Sequence, residues 1–492
     1  MIGPRPLTPT GLTLLFDAYS APTFDAPWQP GAVDVLNPRG EVLGGIARSS
    51  WFSAPRIAQL LYDDGRGATA PPTDASAPAA AVDRVRRWHR FVDVEIAPGL
   101  RIRAVEAIVA LEFASISTDF RMMEMVAHLH ADEHLDSAGV VTALYPLLRV
   151  REKRETFLAA LALELGGDIR FTRLNDQNVS EDERFTQHGR RIYSVVLDRE
   201  LERPADSGDD YVQPEQLPRR DLALRARERA TLNTRSARPL ADGKADTAHT
   251  DLLELSGDWS AMVLRDGAAF VMHPGGRFAE AALHTSTIYT DALALARLQA
   301  RIVDELAIAA GERVYSRREI SIDVVRPLES DVARFRASYS ATSTSLPGRA
   351  RELIGAMQKQ LEFQTALDGL SLEVKGMSNL AQQHAALLAE RASVLAQEAA
   401  RVAEQSAAVA ARSSATLNAV LGFLSIFGFP ISIGVALWET LDGTWTYLAV
   451  YLLVSVAVGL GLYAAVLAFM RRHGPRRPPS TSRLRRADRS RA

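Results

Sequence analysis

A chain of 492 residues with an apolar share of 47% has material for two or three folding units with a real hydrophobic core. It holds no cysteine, which excludes a disulfide framework, a thiolate metal site and a cysteine nucleophile together. The formal net charge of −2 hides an asymmetry, because residues 471–492 carry nine Arg and one Asp. The remainder is therefore acidic, and nucleic acid is not an expected partner of the soluble part.

Residues 1–63 mix short apolar runs (12–16, 33–35, 42–46) with Pro and Gly, and predict an N-terminal α/β segment of strands and turns. The small, Pro-rich stretch 64–81 predicts a flexible linker. From 82 to 347 the pattern is that of a cytoplasmic α/β domain. Strand-like runs at 91–96, 102–113 and 192–197 surround a helical run at 155–165. Residues 201–250 are charged, with little apolar periodicity, and predict a loop or partly disordered segment.

Within AHLHADEH, His128 and His130 share a strand face and His134 follows, but the spacing matches no established zinc signature and reads as a polar turn. An Asp266-Gly267 turn between apolar runs 259–264 and 268–272 predicts a hairpin. Helices are predicted over 288–310 and from Pro327, whose missing N–H suits a first turn, with Val332, Phe335 and Tyr339 on one face. Pro347-Gly348 breaks the chain before a long helix with Gly376 as its candidate interruption. No phosphate loop, nucleophile elbow, metalloprotease pair or kinase signature occurs, so no enzymatic role is expected.

The stalk predicted over 348–416 carries a seven-residue repeat in its second half. Leu380, Leu387 and Val394 lie on one line and Leu388, Leu395, Val402 and Val409 on the next. Small residues Ala392, Ala399, Ser406 and Ser413 follow the second set, the pattern of a coiled-coil seam that permits close approach. At about 1.5 Å per residue, residues 380–416 span roughly 55 Å.

Residues 417–438 and 447–470 contain no charge, and each matches the roughly 20 residues that cross a hydrocarbon core. A short loop joins them, so they predict a C-terminal transmembrane hairpin with both chain ends on one side. The Arg-rich tail assigns that side to the cytoplasm and the lipid bilayer of an inner membrane to the hairpin. The seven-residue register continues into the first span as Asn418, Ser425 and Ser432, with Glu439 next in line. Polar groups aligned in this way suit an axial pore or a polar helix interface. Gly428, Pro430 and Gly434 mark a hinge. Glu439 and Asp442 read either as an acidic ring at a pore mouth, if repeated around an oligomer, or as ordinary solvated loop acids.

An α+β cytoplasmic domain, a very long helix entering the first span, a short external loop, a second span and a basic end together resemble the CorA superfamily of pentameric divalent-cation channels. DWSAMVLRDGAAFVM, IYTDALALARLQ and LESDVARFRASY are similar to the hairpin and helices ahead of the stalk in that family. The resemblance covers residues from about 259 onward. It implies a homo-oligomer, a pentamer in that family, with the first span lining the pore, a divalent cation as permeating ion and no cofactor.

The family's Gly-Met-Asn triplet has no counterpart: the end of the first span reads ALWETLDG, and KGMSN at 375–379 lies far too early. This departure implies altered selectivity. Several relatives without the triplet are assigned to bacterial conflict or antiviral systems, and the chain is similar to membrane components found beside caspase-like proteases with TPR repeats. That second resemblance implies a membrane-anchored effector or scaffold with a cytoplasmic protein partner.

Overall fold

A computed structural model describes residues 6–20, 24, 27–52, 55–62, 85–116, 121–166, 169–171, 192–201, 217–232, 248–316, 321–340, 348–440 and 445–473. The linker predicted over 64–81, residue Asp442 and the tail beyond 473 lie outside the described residues. The chain divides into two compact units, residues 1–385 and 386–492.

The first unit is an α/β region built on one mixed sheet. Its strands are β1 (Leu12–Ser20), β2 (Gln29–Pro30), β5 (Arg87–Ala97), β6 (Leu100–Val109), β7 (Arg121–Ala131), β8 (Ile169–Arg170), β9 (Tyr193–Asp198), β10 (Leu252–Ser256), β11 (Trp259–Val263) and β12 (Gly267–Met272). They run in the order β10-β11-β12-β9-β1-β7-β6-β5-β2, with β8 also on β1. β9 and β12 pair parallel, whereas the other pairings are antiparallel. Two short strands, β3 (Val35–Leu36) and β4 (Val42–Leu43), pair separately. The predicted Asp266-Gly267 turn joins β11 to β12. Gly267 is needed there because a Cβ would collide with the Ala230 carbonyl oxygen.

Helices cover both faces. In chain order they are α1 (Gly45–Ser50), α2 (Pro55–Tyr62), α3 (Ser137–Arg149), α4 (Arg151–Leu165), α5 (Arg219–Thr231), α6 (Ala281–His284), α7 (Thr290–Ser316), α8 (Ile322–Phe335), α9 (Gly348–Gln360) and α10 (Phe363–Phe423). The two-residue period of the strands sorts side chains between the layers. Leu14, Phe16, Met123 and Met125 join a core with α3 and α4, while α5 closes the same face over β10 to β12. Leu15, Val126 and Phe270 face the other way, into a core with α2 and α7 to α10. The first part of α10, through Phe363, Leu367, Leu370, Val374, Met377 and Ala381, is buried in that core.

Several expectations need correction. The run 42–46 is a strand only at Val42–Leu43 and then turns into α1, with α2 soon after. The charged segment 201–250 contains α5, hidden from periodicity because few of its residues are apolar. Leu222, Ala223, Ala226 and Ala230 are buried, and Arg225 and Arg229 are tied to Asp198 and Glu200. The helix expected from Pro327 starts at Ile322, so that Pro327 lies inside it, while Val332, Phe335 and Tyr339 are buried together as expected. The long helix runs unbroken through Gly376. The interruption falls instead at Glu362, which takes a left-handed φ of 53° between α9 and α10.

The second unit holds the remainder of α10, a π-helical turn (Leu424–Gly428), α11 (Phe429–Thr440) and α12 (Trp445–His473). The helical run Phe363–Ala436 is long and apolar enough to cross a membrane by length and composition, and Ala449–Ala465 is a shorter apolar stretch.

Candidate functional site

The sheet has one apolar face and one studded with charge. The same strands that give Leu14, Phe16, Met123 and Met125 to one core present Thr13, Asp17, Glu106, Glu124 and His128 toward α7. Helix α7 answers with Thr290, Asp291, Arg297, Arg301 and Glu305, the last three one turn apart. Thr13 and Thr290 join hydroxyls at 3.0 Å in the middle of this interface.

Toward its β5 side the interface closes around four fully buried charges. Arg48 of α1 lies 2.8 Å from Glu106 of β6 and 3.3 Å from Asp291 of α7. Arg87 of β5 lies 2.8 Å from the same Asp291 and also grips Glu106, while the Tyr62 hydroxyl donates to Asp291. The Arg87 guanidinium sits 4.7 Å from the centre of the Tyr62 ring. Burial disfavours the Glu106 charge, yet Arg48 and Arg87 hold its carboxyl well below the usual carboxylate range. Burial together with the nearby Asp291 raises the Tyr62 phenol, despite the pull of Arg48.

A second cluster lies further along α7. Arg297 reaches Glu124 at 2.6 Å and Asp17 at 3.1 Å, and Arg301 donates to the carbonyls of Met123 and Ala18. The Tyr19 hydroxyl donates to Glu305 at 2.7 Å. Burial lifts the Glu124 carboxyl to about 8 against the pull of Arg297. Asp17, also penalised by burial, is held low by Arg301 and Arg297. Ion pairs and charge-assisted hydrogen bonds buried this deeply fix register more surely than they add stability. A slide of α7 along the sheet would unpair both clusters at once.

In the second unit the predicted stripe residues Asn418, Ser425 and Ser432 are all exposed. Asn418 lies on α10, Ser425 within the π-turn and Ser432 on α11. A π-turn takes up one extra residue, which sets the following helix back by about 100° from an uninterrupted α-helix. The heptad line through Asn418 is therefore not continued straight to Ser432.

The glycines beside the stripe face elsewhere. A Cβ on Gly434 would lie 2.7 Å from the Tyr451 ring of α12, and one on Gly459 of α12 would lie 3.0 Å from Phe427. Ser432, two residues before Gly434, is thus turned away from α12, where its hydroxyl donates to the Phe429 carbonyl. Of the predicted hinge, Gly428 ends the π-turn and Pro430 and Gly434 lie within α11. Glu439 falls in the last turn of α11.

The AHLHADEH residues separate: His128 is buried 3.2 Å from Glu106, whereas His130 and His134 are exposed. Among the described residues no group of three or more His, Asp or Glu side chains is arranged to hold a metal ion. Sequence reasoning missed the charged interface. Its one available signal was Arg297, Arg301 and Glu305 at four-residue spacing inside the apolar run of α7. The chain matches no protein-family model, no curated protein and no solved structure.

Proposed function

We propose that the chain is a homo-oligomeric inner-membrane ion channel or transporter of CorA-like build, with altered selectivity and gated by its N-terminal unit. The observation that carries this reading is the division of faces on the first membrane leg. Its glycine contact goes to α12 and Ser432 is turned away from it, while Asn418 and Ser425 are exposed, so that these polar groups are open to other copies or to water. Two contacts support an antiparallel hairpin. Gly434 meets Tyr451 and Phe427 meets Gly459, so positions that retreat along one helix advance along the other.

The exposed apolar side chains support both lipid and partner copies. Leu417, Phe423, Leu424, Val435, Leu453 and Val458 are each more than half exposed, an arrangement that water does not tolerate over such an area. On the stalk, Leu388, Leu395, Val402 and Val409 are 50–65% exposed along one heptad line, a seam for a second copy of the same helix. The π-turn serves as the gating element in this proposal, because its single extra residue lets the halves of the leg rotate relative to each other. In this proposal both chain ends are cytoplasmic, and the sequence supplies Glu439 and Asp442 as the acids of the outer mouth.

A second reading, a membrane-anchored effector or scaffold of a conflict system with a caspase-like partner, is favoured by the missing Gly-Met-Asn triplet. Ion flux into proteoliposomes separates the two. Conduction by the purified oligomer supports the channel; an intact oligomer that passes no ion, divalent or monovalent, removes it and leaves the anchor.

A further inference from the structure

Beside the buried charges, the first unit contains a cavity of about 450 Å³ that the proposed conduction path does not use. It opens between the segment ahead of β1, strands β3, β5, β6 and β7, and the π-helical turn Thr285–Tyr289 that leads into α7. Its size falls in the range that holds an organic molecule rather than a few waters. The walls are mostly apolar, with Leu12, Val35 and Phe91 among them.

Among the described residues the charged and titratable groups at its wall are Arg103, His128 and His130, and no carboxylate lines it. Asp93 holds Arg103 at 3.0 Å, but that pair is about half exposed and therefore weak. Hydroxyls of Thr8, Thr10 and Ser286 complete the polar lining. Ser286 is 2% exposed and accepts the Gly11 N–H at 2.9 Å, tying the cavity floor to the π-turn.

We infer that this cavity binds a small organic anion, an apolar body bearing one carboxylate or phosphate, with the anionic group held by Arg103 and His130 and the body lying against Phe91 and Leu12. Apolar walls with a few convergent basic groups recognise that chemistry and reject cations. Occupancy reaches α7 by two short routes. One is direct, through Ser286 in the turn that starts the helix. The other runs from His128 to Glu106 at 3.2 Å, and from Glu106 through Arg48 and Arg87 to Asp291. The π-turn leads directly from the cavity into the helix, and such turns concentrate at functional sites.

The test is calorimetric titration of the full chain in nanodiscs with naphthoate and naphthyl phosphate, with naphthylmethylamine, inorganic phosphate and empty nanodiscs as controls. Saturable heat with both aromatic anions, and none with the amine or inorganic phosphate, is the expected result. Arg103 and His130 are exposed, so Arg103→Glu and His130→Gln should fold normally and weaken anion binding about tenfold or more, the worth of one charge-assisted hydrogen bond. Hydrogen exchange should slow at 285–289 in the occupied protein. Equal binding of the amine, no saturable binding of either anion, or anion binding untouched by both variants would overturn the site. Unchanged exchange at 285–289 would overturn the route to α7. None of these readouts depends on ion flux, so they stand apart from the conduction test.

Discussion

Arg297 crosses from α7 to the sheet and places its Nε 2.6 Å from a carboxyl oxygen of Glu124, a group that burial lifts to about 8. The folded chain therefore keeps a proton that the unfolded chain releases near the ordinary value of 4.5. Stability falls as pH rises through that window, because the folded state binds more protons there. Glu124→Gln, which mimics the protonated form, should raise the melting temperature in detergent more at about pH 8.5 than at about pH 5.5. An equal effect at both pH values would show that Glu124 is not the titrating group.

The Arg48, Arg87, Glu106 and Asp291 cluster pairs two cations with two anions at full burial. Removing one cation leaves a buried carboxylate under-neutralised, so Arg48→Met should destabilise the first unit by about 3–5 kcal/mol. Denaturant titration followed by a probe in that unit reads the loss. A change within a few tenths of a kcal/mol would mean that water reaches the cluster.

Gly434 and Gly459 should each resist enlargement, since a Cβ at either position meets an aromatic ring of the other helix. Gly434→Leu should cost about 1–3 kcal/mol of stability in detergent, as overpacking does. Gly422→Ala meets nothing within 4 Å and should be neutral. If the two substitutions behave alike in thermal denaturation, the pairing of α11 with α12 is wrong.

Because the chain has no native cysteine, a single introduced thiol reports contacts between copies without interference. Leu395→Cys on the stalk seam should cross-link between copies on mild oxidation. Leu163→Cys, on α4 and 84% exposed, should not. Cross-linking that is no greater at 395 than at 163 would place the seam against lipid or solvent.

Asn418 is exposed on α10, and its replacement by Leu distinguishes water from a neighbour. Asn418→Leu should change single-channel conductance while leaving the oligomer mass as it was. Altered assembly at unchanged conductance would reassign the residue to a helix interface.

How much of this was legible beforehand depended on the kind of signal each element leaves. The Asp266-Gly267 hairpin and the apolar run of the C-terminal helices were readable, because turn chemistry and hydropathy are local. Helix α5 was not, since its anchoring comes from Asp198 and Glu200 on another element and not from its own periodicity. The π-turn at Leu424–Gly428 carries no residue signature, so a heptad count ran straight across it from Asn418 to Ser432. The sheet order left no trace in any one segment, and with it the meeting of Glu106 and Arg87 with Asp291, which lies 204 residues beyond Arg87.

The most direct test is the protein mass of the detergent-solubilised particle by light scattering, after extraction from membranes. The account expects the protein only in the detergent-extracted membrane fraction, with a mass that is an integer multiple, greater than one, of the 53.7 kDa chain. A particle of 53.7 kDa, or protein left in the aqueous fraction before detergent is added, would contradict it.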